Sequence, residues 1–303
     1  MTNRHFGRIS EVWKHLVLAE VLATEQPRAV LDTHAGDALY PVVNDPERSY
    51  GVLAFNDIVD DHPKLRDSAY ATVLAGLRSA STLEGIPGGP VVAMALLGND
   101  AEYVFCDLDR DSATNILDTA AARGVRSARV LTADGMGSVH ATLAERDGAS
   151  VVVFIDPFDH HAVGLSGLSA LDVALEVVRA GAVLVYWYGY DRIDRRAWIV
   201  DELAPRDDVV NWWCGDLLVS ADEADMTSGD LGVASSPGTG SGVICVNASS
   251  PTIERCTALG AALSAAYRRR PLPSGREGTL DFMTLESSSR RESHTVDPPH
   301  ADG

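Results

Sequence analysis

At 303 residues with 46% hydrophobic side chains, the chain can bury a sizeable core in one large domain or two. Its 43 acidic residues against 25 basic ones give a net charge of −18, which argues against the broad positive footprint of a polynucleotide-binding surface. No run approaches the ~20 apolar residues of a membrane helix and residues 1–10 lack the apolar core of a signal peptide, so a cytoplasmic protein without a membrane partner is expected.

Ser10 suits an N-cap, and Val12, Trp13, Leu16, Val17, Ala19 and Val21 follow at helical spacing, which predicts a helix over 10–23. A short strand over 29–31 then runs into Asp-Thr-His-Ala-Gly-Asp at 32–37, where Gly36 permits a tight turn and close backbone approach to a ligand. Some sixty residues separate this turn from the next strand, with a helical pattern over 64–79 and a Pro-Gly-Gly-Pro break at 87–90. The segment 56–98 therefore reads as a helical insertion.

Beyond it, strands are expected over 103–107, 127–131, 150–155 and 182–187, alternating with helices over 112–123, 138–145 and 169–180. Several of these strands are apolar throughout, which predicts an α/β fold with a mainly parallel sheet covered by helices on both faces. A helix over 192–203 and strands over 208–218 and 242–246 follow, the strands forming a terminal hairpin around a polar loop at 222–240. The domain is expected to end near residue 270, with 271–303 a disordered tail rich in charge, Ser and Pro.

Four successive strand ends carry an acid: Asp32, Asp107, Asp134 and Asp156. In an open α/β sheet the ligand lies beyond the carboxyl ends of the strands. Asp107 can accept both hydroxyls of a ribose, Asp134 beside Gly135 can accept from an adenine amino group, and the turn at Gly36 can bring amides to a polar ligand tail. No phosphate-cradling glycine loop follows the first strand, so S-adenosyl-L-methionine fits better than NAD or ATP. Asp156 at a rigid strand end can orient an acceptor N–H and tolerate developing positive charge. The cysteines Cys106, Cys214, Cys245 and Cys256 are dispersed, and no ligand spacing for a metal is present.

Lys14-His15, Leu-Asp-Thr-His-Ala-Gly at 31–36, Pro-Gly-Gly-Pro, Ala-Asp-Gly at 133–135 and Ile-Asp-Pro at 155–157 together resemble the adenine-N6 23S ribosomal RNA methyltransferase family over roughly residues 5–250. The resemblance implies a class I (Rossmann-like) methyltransferase fold. It implies S-adenosylmethionine contacts from His15, His34, Gly89, Asp107, Asp134 and Gly135, with Asp156 between donor and acceptor and Lys14 supporting it. The family's Asp-Pro-Pro-Tyr quartet is here Asp156-Pro157-Phe158-Asp159, so the third proline and the stacking ring at the fourth position are replaced.

That replacement, with the net charge, points to methyl transfer to a small-molecule acceptor, an amine nitrogen by preference, in a pocket formed by Phe158, His160 and Tyr188, with His161, Trp187 and Tyr190 as further candidates. Two alternatives remain open: adenine-N6 methylation of 23S ribosomal RNA, for which the clusters Arg192/Arg195/Arg196 and Arg268–Arg270 could supply a local basic face, and a non-catalytic S-adenosylmethionine-binding protein. Trp187, Tyr188 and Tyr190 can equally be core residues, and Asp159 can cap its own loop.

Overall fold

The computed structural model describes residues 5–190, 195–203, 209, 211–220, 240–268, 270–272 and 278–287. Helix α1 (Ile9–Glu25) leads into β1 (Ala29–Asp32). The strands β2 (Glu102–Asp107), β3 (Ala128–Thr132), β4 (Val151–Ile155), β5 (Val183–Tyr190), β6 (Trp212–Ser220), β7 (Gly240–Val246) and β8 (Thr279–Glu286) join β1 in one eight-stranded sheet ordered β8-β6-β7-β5-β4-β1-β2-β3. Strands β5, β4, β1, β2 and β3 are mutually parallel, whereas β7, β6 and β8 add antiparallel pairings.

The apolar run of β4 shows why the strands read as continuous hydrophobics. Val152 and Phe154 enter one core layer, under α1 and the insertion; Val151, Val153 and Ile155 enter the other, under the helices Gly135–Leu143, Ala170–Arg179 and Trp198–Leu203. A strand covered on both faces has no polar face to alternate with. Chain order reverses between β1 and β4, so the switch point, where ligands of such sheets bind, lies at the carboxyl ends of these two strands.

Helix α1 is almost wholly buried, and its polar groups are individually met. Glu20, fully buried, accepts from the Ala69 amide (2.7 Å) and Arg255 Nε (2.6 Å), and Trp13 Nε1 donates to the Gly215 carbonyl (3.0 Å). The helix stops where Gln26 turns left-handed (φ 47°) and returns its amide to the Leu22 carbonyl.

Between β1 and β2 the insertion starts earlier than residue 56, with helices Pro46–Tyr50 and Val52–Ile58. The helical stretch expected over 64–79 is divided. Ser68 accepts from the Ala71 amide (3.1 Å) and starts a second helix, Ala69–Ala75, after Pro63–Arg66, and Arg78–Ser79 pairs with Thr82–Leu83 as a short ribbon.

The C-terminal third departs furthest from expectation. Helix Ser250–Tyr267 was not foreseen, and residues 279–286, expected in a disordered tail, form the edge strand β8 paired along β6. In the segment 192–203 the described helix is Trp198–Leu203; Arg192 and most of the loop 222–240 lie outside the described residues, Gly240 being the first residue of β7.

Candidate functional site at the strand ends

The turn after β1 is laced to its neighbours by backbone hydrogen bonds: the Thr33 amide donates to the Phe154 carbonyl (3.1 Å), and the Ala35 amide to the Cys106 carbonyl (2.9 Å). Gly36 sits at φ 60° and donates its amide to Asp107 Oδ2 (2.9 Å), while the Asp109 amide holds Asp107 Oδ1 (2.8 Å). Both oxygens of Asp107 are thus fixed at the end of β2 before any ligand arrives. The exposed His34 is oriented by Thr33, whose hydroxyl meets its Nδ1 at 2.8 Å.

Asp32 is buried, with the His34 amide on Oδ1 (3.0 Å) and Gly89 opposite Oδ2. A Cβ at Gly89 would stand 3.1 Å from that oxygen, so glycine here keeps the approach to the carboxyl open. Burial, opposed in part by the His34 amide, pushes the Asp32 carboxyl up to about 8.

Asp134 caps helix Gly135–Leu143 through the Met136 amide (3.0 Å), and its other oxygen accepts the Ser166 amide (2.8 Å). Burial raises its pKa, but the Ser166 and Met136 hydrogen bonds lower it more, and it is held below the usual range. Gly135 is demanded by contact: a Cβ there would fall 2.0 Å from the Thr33 carbonyl oxygen.

Lys14 enters from α1. Its Nζ is 2.5 Å from Asp156 Oδ2 and 2.8 Å from Glu11 Oε1, and 5.8 Å from the ring centroids of Phe154 and Trp187. Burial opposes the ammonium, yet Asp156 and Glu11 together push its pKa well above the ordinary lysine value. Burial raises the Glu11 carboxyl, with Lys14 pulling it back. With both carboxylates ionised the group would carry a net charge of −1, which favours a positive charge developing beside Asp156. Glu11 escaped the sequence reading, although its i,i+3 spacing to Lys14 was the available signal. His15, the next residue, is buried against Tyr70 of the insertion, and burial holds its pKa well below the usual histidine value.

The expected acceptor residues do not come together. Tyr188 is fully buried and donates to Asp216 Oδ1 (2.6 Å), with Cys214 Sγ 2.8 Å away. It is therefore no wall of this pocket. The reason is strand parity: Ile155 pairs with Tyr186, so Trp187 lies beside Asp156, and Tyr186, Tyr188 and Tyr190 all point into the opposite core layer. His160 follows them, with Nδ1 2.9 Å from the Tyr186 hydroxyl and its ring against Trp198; burial lowers its pKa to about 4. Phe158 stands out, 79% exposed two residues beyond Asp156, and His161 is also exposed, its ring 5.6 Å from that of Trp198. Asp159 turns back onto its own loop and accepts the His161 amide (3.0 Å). Among the described residues no group of three His, Cys, Asp or Glu is disposed to hold a metal ion, and no helix is long and apolar enough to cross a membrane.

The donor set suits a nucleoside cofactor without phosphates: a carboxylate at the end of β2, a second at the β3 turn, and a glycine turn pinned between β1 and β2. Sheet order and site together define a class I methyltransferase that uses S-adenosylmethionine. The model of the family described as ribosomal RNA large subunit methyltransferase D, RlmJ, matches residues 25–204, more than half of the chain, and the chain belongs to that family of adenine-N6 23S ribosomal RNA methyltransferases. The family match does not support the expected preference for a small-molecule acceptor.

Among solved structures, the protein LPL1258 of Legionella pneumophila str. Philadelphia 1 superposes with a TM-score of 0.69 at 19% identity, covering 94% of this chain and 99% of that one. An rRNA methylase from Streptococcus thermophilus matches with a TM-score of 0.34 at 12% identity, over 78% of this chain and 94% of that one. No curated protein matches the sequence.

Proposed function

We propose that the chain methylates N6 of an adenine in 23S ribosomal RNA, with Asp156 as the catalytic residue. The observation that carries this reading is the Lys14–Asp156 pair at the end of β4, in a chain of this family. The replaced quartet at 156–159 loses force as an argument for a small acceptor. Asp159 is spent on the His161 amide and does not aim at the acceptor, and Phe158, exposed at the lip, presents an aromatic face on which a base can stack.

S-adenosylmethionine supplies an electrophilic methyl group. Asp107 receives the ribose hydroxyls; Asp134 and Gly135 meet the adenine edge. The turn Asp32, His34, Gly36 with Gly89 takes the amino-acid end, and His15 supports it from α1. Asp156 accepts a hydrogen bond from the acceptor amino group and aligns its nitrogen for in-line attack, while Lys14, held protonated between Asp156 and Glu11, fixes the carboxylate. As the N–C bond would form and the donor's S–C bond break, leaving a neutral thioether, the sulfonium's positive charge would pass to the acceptor nitrogen next to Asp156, and the surplus proton would leave that nitrogen to solvent. A ribosomal RNA acceptor places the reaction in the cytoplasm.

The test is transfer of labelled methyl from S-adenosylmethionine by the purified chain to protein-free 23S ribosomal RNA, and in parallel to a deproteinised small-molecule extract. N6-methyladenosine in digested RNA is the expected product. Label found only in small molecules would return the acceptor to an amine; cofactor binding without label in either fraction would make the protein a non-catalytic binder.

A further inference from the structure

A second cleft lies away from the strand ends, between the insertion and the C-terminal end of helix Ser250–Tyr267. It measures about 480 Å3, and Asn44, Asp45, Ser49, Tyr50 and Arg270 line it. Tyr50 is 3% exposed, yet its hydroxyl has no hydrogen-bond partner among the described residues, an uncommon state for a buried phenol. Its ring meets Tyr267 edge-on at 5.3 Å, and the Arg270 guanidinium lies 5.9 Å from the Tyr267 centroid. The Ser49 hydroxyl donates to Asn44 Oδ1 (2.8 Å), which leaves the amide nitrogen of Asn44 as a donor.

The charges in the wall are matched except for one. Arg48 binds Asp45 (2.9 Å) and Glu47 (3.1 Å), and Glu47 is further held by Arg8 (2.7 Å). No described carboxylate pairs with Arg270. The Asp45 carboxylate in the lining is taken up by the Arg48 amide and guanidinium, which leaves a buried hydroxyl, an amide nitrogen and a guanidinium with no carboxylate partner among the described residues, the chemistry of an oxyanion site.

We propose that this cleft binds a phosphodiester of the RNA acceptor, Arg270 pairing with the phosphate and the Tyr50 hydroxyl donating to it. The inference rests on the ribosomal RNA reading above. Position supports it: Glu47 ties the cleft wall to Arg8, the N-cap of α1, and Lys14 lies less than two turns further along, ~9 Å of helix axis. The cleft wall and the Lys14–Asp156 pair are thus both tied to the N-terminal end of α1, and the proposal has one RNA strand span them. Such a contact positions the RNA without reading its sequence. It also gives an acidic chain a local cationic anchor.

The experiment uses the full chain and a 23S ribosomal RNA transcript, with binding measured from 50 to 200 mM salt, for wild type, Arg270→Gln, Arg270→Lys and Tyr50→Phe. Arg270→Gln is expected to weaken RNA binding roughly tenfold and to lower the salt slope by about one. Arg270→Lys should keep the slope with reduced affinity, and Tyr50→Phe should weaken binding severalfold with the slope unchanged. S-adenosylmethionine affinity should stay at the wild-type value in all three, and the melting temperature should not fall, Tyr50→Phe raising it if anything by removing an unsatisfied hydroxyl. Unchanged RNA affinity in both Arg270→Gln and Tyr50→Phe, with wild type still methylating RNA, removes the cleft and leaves the function standing. A wild-type chain that retains no RNA at 50 mM salt overturns both. Saturable binding of inorganic phosphate that does not compete with the transcript would give the cleft to a small phosphorylated ligand instead.

Discussion

On the β1–β3 side of the strand ends the carboxyls are held by backbone amides: Asp32 by His34, Asp107 by Gly36 and Asp109, Asp134 by Met136 and Ser166. On the β4 side the loop after Asp156 leaves Phe158 79%, Val163 66% and Leu165 91% exposed. The first side is organised before a ligand binds, which reduces the ordering cost of binding. The second presents apolar side chains to solvent, which a ligand stacking on Phe158 would cover. Cofactor affinity should therefore depend on backbone geometry, and acceptor affinity on a few side chains.

Exchanging the carboxylate at the boundary should have the largest effect. Asp156→Ala is expected to lower single-turnover methyl transfer by about 10²–10³, the usual consequence of deleting one preorganised electrostatic partner. S-adenosylmethionine affinity should move little if, as proposed, Asp156 serves the acceptor. A rate within threefold of wild type would remove Asp156 from catalysis.

On the organised side, Asp107→Ala should raise the S-adenosylmethionine Kd by about ten- to a hundredfold, from the ~1.5–3 kcal/mol of hydrogen bonds to a charged group. It also frees the amides of Gly36 and Asp109, so the turn itself should loosen. A variant with wild-type cofactor affinity in calorimetry would place the ribose elsewhere. On the exposed side, Phe158→Ala should cost ~1–3 kcal/mol of base stacking, read as a rise in the acceptor KM with cofactor Kd unchanged. If the KM is unaltered, Phe158 is not the stacking ring.

The same contrast decides what could be read from residues alone. Strands that are buried on both faces announce themselves as apolar runs, so β4 and the strand–helix alternation around it were legible, as were the acids that end the strands. Strand β8 was not: as an edge strand it pairs only with β6, and its side chains alternate between polar and apolar without a clear period. Helix Ser250–Tyr267 buries Thr252, Cys256, Leu259, Gly260, Leu263 and Tyr267, a helical stripe too poor in large apolar residues to stand out. Trp187 and Tyr188 could be told apart only by register, since one step along a strand exchanges its faces. Glu11 was signalled only by its i,i+3 spacing to Lys14, while Ser166 meets Asp134 across 32 residues that no spacing encodes.

The smallest expected effect concerns Asp32, whose carboxyl burial pushes up to about 8, against ~3.9 in the unfolded chain. Between these values the folded state holds a proton that the unfolded state has released. Stability conferred by Asp32 is thus present at low pH and is lost as pH rises toward 8. Buried His15 and His160, with lowered pKa, act in the opposite sense only below ~6.5, and Asp216, raised by burial to about 6, is spent by then. Above pH 6.5 the raised carboxyls remain, Asp32 and, in the same sense, the buried Glu11, so the contribution of Asp32 is read as the difference between wild type and Asp32→Asn. Urea midpoints from pH 6.5 to 8 should fall more steeply in the wild type than in Asp32→Asn; parallel lines would show that the carboxyl is already ionised. If it is protonated, a cationic ligand at this turn must draw the proton off, so cofactor binding near pH 7 should release a proton from wild type and none from Asp32→Asn, which links the most rigid part of the site to the charge of the molecule it holds.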